Sequence, residues 1–168
     1  MSISVYEASV PVFVRGLTNM KGIIDKAAAH AAAHKLEPAA LLNARLFPTM
    51  FPFTRQIQIA ADFAKSTTAR LAGIGVPKYE DTESSFAELS ARIDKTLAFI
   101  TPVKAELIDG SEARPVEMTA GGQALKFTGM NYLLQFSLPN FYFHQSTAYG
   151  ILRHAGVELV KRDYIGPI

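Results

Sequence analysis

The sequence predicts an all-α protein, a four-helix bundle with one small β-hairpin between its third and fourth helices. Three observations carry that expectation. Apolar residues recur at helical spacing in four long segments. Breaks containing Gly or Pro separate those segments. A single Gly-Gly pair flanked by short extended runs interrupts the helical pattern once. With 168 residues, the chain fits one domain over 1–168 and is long enough to bury a core.

The first helix is read from Val10 to Lys35. At ~100° per residue, Val12, Phe13, Leu17, Met20, Ile23, Ile24, Ala27 and Ala31 share one face, with Arg15, Thr18, Lys21 and Asp25 opposite. Pro11 fits its first turn, where a missing N–H costs nothing, and Pro38 lies just beyond its end. "PAALLNARLF" leads to a second helix from near Pro52 to Leu71 or Ala72, with an apolar arc of Phe53, Ile57, Ile59, Ala60, Phe63, Ala64 and Leu71. The connector "GIGVPKYEDT" ends in a capping signal, Asp81 or Thr82, with Glu83 in the first turn where the helix dipole favours it. A third helix carries Phe86, Leu89, Ile93, Leu97 and Ile100, and "TPVKAELIDG" reads as a short helix capped by Thr101 with Pro102 first. "RPVEMTAGGQALKF" reads as the hairpin, turning at Gly121-Gly122 and placed to cover one end of the bundle. "TGMNYLLQFSL" and "PNFYFHQSTAYGILRHA" form a broken or kinked fourth helix closed by Gly156.

Composition narrows the function classes. Hydrophobic residues make up 49% and charged residues 19%, a globular balance that leaves apolar surface for a partner, most simply a second copy in a homodimer. The net charge of +2 is spread over scattered Lys and Arg, without the basic stripe that nucleic acid requires. The absence of cysteine removes disulfides, thiolate metal sites and cysteine nucleophiles. No run is apolar enough to span a membrane, and the first residues do not read as a leader, so a cytoplasmic protein with no membrane partner is expected. There is no Gly-rich phosphate loop, no G-x-S-x-G elbow and no close inward pair of carboxylates.

Helical spacing places His144 on the inward arc of the fourth helix, between Ala148 and Ile151, and His154 at the rim. The two lie ~15 Å apart along the axis and do not share an ion. On the second helix Gln56 falls inside the apolar arc, whereas Arg55, Gln58, Asp62 and Lys65 read as a solvated face carrying an ion pair. On the first helix His34 lies on the apolar face and His30 at its edge, one turn apart, the spacing from which two imidazoles share a metal. Arg153, Lys161, Arg162 and Asp163 read as surface ion-pairing residues. The residues singled out for binding are therefore His144, Gln56 and His34. Each also has a bland reading as a satisfied core or helix-end residue. In an up-down-up-down bundle they could line one pocket for a small molecule. If "GIGVPKYEDT" is a crossover, that pocket dissolves.

"LFPTMFPFTRQIQIAADFAKSTTARLAG", the E-L-x-A-R-I of the third helix and "PNFYFHQSTAYGILRHAGVELVKRDYIG" resemble a bacterial domain-of-unknown-function family of the DinB-like four-helix-bundle superfamily. The resemblance implies a bundle with a crossover, frequent dimerisation and, in many members, a divalent metal held by three histidines. One of these comes from the second helix and two, spaced H-x-x-x-H, from the last; some members are thiol-dependent transferases or isomerases. This chain departs from that pattern, with Ala148 four residues after His144 and no histidine on the second helix. No cofactor or catalytic residue is assigned from the sequence. The leading reading is a dimeric DinB-like bundle with a buried polar pocket and a degenerate or absent metal site. The alternatives are a metal-dependent thiol-transferase or isomerase-like enzyme, and a purely structural or interaction module.

Overall fold

A computed structural model describes residues 3–167, so both ends of the domain read over 1–168 lie outside the described residues. Four helices carry the architecture: α1 (Val10–Ala33), α3 (Phe53–Ala72), α4 (Phe86–Ile100) and α7 (Leu138–His154). Short helices join or extend them: α2 (Pro38–Leu42), α5 (Ala105–Ile108), α6 (Gly129–Asn131) and α8 (Lys161–Ile165). The hairpin is β1 (Pro115–Ala120) paired antiparallel with β2 (Gln123–Thr128). Gly121 and Gly122 both take positive φ, 57° and 77°, as a two-residue hairpin turn matched to the strand twist requires.

The core forms where the apolar arcs meet. Phe13, Leu17 and Ile24 of α1, Phe53, Ile57 and Leu71 of α3, Leu89 and Ile93 of α4, and Phe141 and Leu152 of α7 are all fully buried. Each such side chain contributes about 1.5–3 kcal/mol through its burial. Val12, Ile59, Phe63 and Leu97, also placed on the inward arcs, are only partly buried.

Contacts along the helices fix the direction of each. Gln56 meets His144 and, further along α3, Arg70 meets Tyr132, so α3 and the last helix are antiparallel. Gln58 meets Glu83 just before α4 and Asp62 meets Arg92 within it, so α3 and α4 are parallel. The connection between them therefore runs back along the bundle as a crossover. Phe13 packs edge-on against Phe141 at 5.1 Å between ring centroids, and Gly16 accepts a bond from Gln145, so α1 and α7 are parallel. Gly16 permits this approach, because a Cβ there would stand 2.6 Å from the Phe141 ring.

Several boundaries differ from the sequence reading. The cap of α4 is Ser85, which accepts from the Glu88 N–H while the Glu88 carboxylate accepts from the Ser84 N–H, a reciprocal capping arrangement. These bonds from Ser84 hold the Glu88 carboxyl below its usual range. Asp81 and Glu83 are drawn away from capping by buried cations described below. The short helix α5 starts at Ala105 with Lys104 at its cap, so Thr101 and Pro102 precede it. The irregularity of the fourth helix is a π-helical turn over Tyr132–Ser137. It ends just before Pro139, which cannot donate to the preceding turn, and the Asn140 side chain bonds the Phe136 carbonyl. Gly156, at φ 90°, follows α7 as its C-terminal cap, with Gly156 N–H bonding Arg153 O and Val157 N–H bonding Leu152 O. No described helix is long and apolar enough to cross a membrane.

Candidate functional site

The crossover brings Gln56 and His144 together, although it was expected to part them. The last helix begins at Gly129 and passes through the π turn, so His144 lies midway along it, opposite the first turn of α3. The Gln56 Oε1 to His144 Nδ1 distance is 2.6 Å, and Gln56 Nε2 donates to Phe51 O at 3.0 Å. The second bond fixes the amide, so Oε1 is the acceptor facing the ring and Nδ1 carries the proton. Nε2 of His144 is then left as the lone-pair nitrogen. Phe63 stacks over the imidazole at 6.2 Å and Phe143 meets it edge-on at 5.3 Å. Burial, and secondarily the Arg55 charge, push His144 down from 6.5 to about 4. His144 is therefore a neutral imidazole at pH 7.

His34 does not join them. α1 ends at Ala33, so His34 lies just past the last turn, exposed, with its ring 4.2 Å from that of His30 and its Nδ1 3.0 Å from the His30 carbonyl. The pair borders a surface hollow with Gly156 and Val157, residues that follow His144 by about 12 positions, or ~18 Å of helix rise. His154 is exposed near the same end. Ala148 stands one turn after His144.

Half of the row read as a solvated face is covered: Arg55 and Asp62 stay partly exposed and Asp62 carries an ion pair with Lys65, but Gln58 and Lys65 are buried. α3 has α7 on one flank, α4 on another and the crossover strap outside, which leaves Gln58 and Lys65 each 4% exposed. The strap and α4 supply their partners. Arg92, also 4% exposed, binds Asp62 at 3.0 Å, Asp81 at 2.9 Å and Glu83 at 2.9 Å. Lys65 pairs with Asp62 at 2.8 Å and sits 4.0 Å over the Tyr79 ring, and Arg55 pairs with Asp81. Gln58 is held between Arg55 and Glu83. Cations Arg55, Lys65 and Arg92 thus balance anions Asp62, Asp81 and Glu83. Burial alone would lower Arg92, but its bond to Glu83 and the charges of Asp62, Glu83 and Asp81 outweigh it and raise its pKa. Of the C-terminal charges, Asp163 pairs with Lys26 on α1, whereas Arg153 donates to the Val157 carbonyl.

Exposed apolar side chains occur on the segment before α3 and on α7 near the His144 contact. Phe47, Phe51 and Phe143 are between 54% and 61% exposed, and Leu46 is 43% exposed. Leu46 lies over Gly150 of α7, Phe51 is tied to Gln56, and Phe143 precedes His144, so the segment between α2 and α3 passes beside α7 here, with Phe47 next to Leu46 in the chain.

Chemically, the site offers one neutral imidazole nitrogen, a committed amide and an apolar surround. A tetrahedral nitrogen-rich metal centre needs three or four donors at ~2.1 Å. Among the described residues, no group of three or more His, Cys, Asp or Glu converges to hold a metal. The three-histidine set implied by the resemblance therefore does not fit these residues: Ala148 offers no donor, and Gln56 spends both its amide atoms on protein bonds.

A crossover bundle carrying a hairpin before its last helix defines a DinB-like helical protein, and comparison with known proteins supports that class. A crystal structure of a DinB family member protein from Shewanella denitrificans superposes with a TM-score of 0.87 at 39% identity, covering 97% of this chain and 92% of that one. The family model described as "Domain of unknown function (DUF1993)" matches residues 5–165, and the chain belongs to that family. No curated protein matches the sequence significantly.

Proposed function

We propose that the protein is a homodimeric binding module without a resident metal, in which the Gln56–His144 hydrogen bond occupies the place where metal-binding relatives would gather histidines. The observation that carries this reading is the 2.6 Å contact itself, which commits Nδ1 to an amide and leaves a neutral, weakly basic ring. The exposed side chains of Leu46, Phe47, Phe51 and Phe143 support self-association, since aromatic residues are enriched in the cores of interfaces. In this reading that surface meets its own copy, and His144 Nε2 accepts a hydrogen bond from a small neutral ligand at its edge. The transferase or isomerase reading is weaker because its chemistry needs a metal and no three-donor set converges among the described residues.

Two measurements on untagged protein test the proposal. Sedimentation should give a dimer of 18.3 kDa chains, shifted towards monomer by Phe47→Ser with Phe143→Ser. Elemental analysis should give zinc, nickel and manganese well below one per chain. A wild-type monomer at micromolar concentration, or a stoichiometric metal lost on His144→Ala, overturns it.

A further inference from the structure

The surface hollow where α1 ends beside the turn after α7 holds two imidazoles that the preceding reading leaves unused. Its volume is about 500 Å³, and His30 and His34 line it together with Lys26, Gly156, Val157 and Glu158.

The two histidines are one helical turn apart, so their rings stand side by side, 4.2 Å between centroids. Two imidazoles bound at ~2.1 Å and at a right angle on one ion would have their centroids ~4.6 Å apart, so a small ring rotation completes a chelate. His34 is exposed and His30 only half-buried, and that rotation displaces no core side chain. His34 Nδ1 lies 3.0 Å from the His30 carbonyl, which only accepts, so Nδ1 carries the proton and Nε2 keeps its lone pair. A carbonyl behind the remote nitrogen is the support that metal-bound imidazoles usually have. Charge in the hollow also favours a cation. The 24-residue α1 ends there with its negative pole, and Glu158 adds a carboxylate to the wall. Lys26 pairs with Asp163 at 2.8 Å, so its own charge is already balanced.

We propose that His30 and His34 chelate an exchangeable divalent transition-metal ion at the end of α1, cupric ion in preference to nickel or zinc, with water completing its coordination. Imidazole donors select against magnesium and calcium, which take oxygen ligands, and the preference for copper follows the usual order of affinities for nitrogen sites. Two imidazoles are the whole of the protein's donor set, since no group of three converges among the described residues. The ion is therefore taken up from solution and released again, which is compatible with a chain that holds no resident metal.

The test is calorimetric titration of the untagged full chain, stripped with chelator, using cupric, nickel, zinc and magnesium ions. Copper should bind at one ion per chain with Kd below about 10 μM, nickel and zinc more weakly, and magnesium not at all. His30→Gln and His34→Gln should each weaken copper binding by about tenfold or more, because either leaves a single imidazole. His154→Gln, near the same end of the bundle, should leave it unchanged. In proton NMR, substoichiometric copper should broaden the ring signals of His30 and His34 before those of His144. Copper binding that survives both His30→Gln and His34→Gln, or a Kd above about 10 μM for the wild type, overturns this proposal and leaves the preceding reading standing. Copper lost on His144→Ala but retained on His30→Gln overturns both.

Discussion

Acidification tests the neutral His144 directly. The folded protein holds this ring near pKa 4, whereas the unfolded chain returns it to 6.5. Between those values the unfolded state takes up a proton that the folded state refuses, so stability is full above pH 6.5 and is lost as the pH falls towards 4. At pH 5 the unfolded ring is almost wholly charged and the folded ring about one-tenth charged, which corresponds to roughly 2 kcal/mol. Urea unfolding at pH 7 and pH 5, on wild type and His144→Phe, isolates this share, since other ionisable groups are common to both. Wild type should lose about 2 kcal/mol more than the variant between the two pH values. Equal losses, or an NMR titration placing His144 near 6.5, would mean that folding does not hold the ring neutral.

Other perturbations probe the scaffold. Arg92→Ala would leave Asp62, Asp81 and Glu83 facing one another without their shared cation, and should cost about 3–5 kcal/mol in urea unfolding. Replacing Gly129 with alanine would set a Cβ 2.1 Å from the Ser111 carbonyl, a backbone atom that cannot step aside; a fall of several degrees in Tm is expected by calorimetry. Ser85→Ala removes the side-chain cap of α4 and should cost about 1 kcal/mol by the same unfolding assay.

Much of the fold was legible because its signals are local. The 3.6-residue period places Phe13, Leu17, Ile57, Leu89, Ile93 and Phe141 inside, and Gly121-Gly122 marks the hairpin turn. His144 and Gln56 could be placed inward one helix at a time, but their meeting depends on helix direction, which periodicity does not carry. The row on α3 does carry its expected ion pair, Lys65 with Asp62, but the burial of Gln58 and Lys65 was missed for the same reason. A helix wheel shows Gln58 and Lys65 opposite the apolar arc, but not a strap returning with Asp81 and Glu83 to cover them. The available clue was the acidic end of a connector long enough to span the bundle. His34 was misplaced by continuing the wheel one residue past the helix end. Gln145 went unnoticed beside His144, since its importance lies in a bond that only the approach of α1 at Gly16 creates.

The state of His144, a neutral imidazole committed to Gln56, is written in the protonation of its two ring nitrogens. Long-range proton–nitrogen correlation of the side chain at pH 7, before and after one equivalent of zinc, tests it most directly. A protonated Nδ1, an unprotonated Nε2 and no shift of either resonance with zinc are expected. A protonated Nε2, or a zinc-induced shift that saturates at one metal per chain, would contradict it.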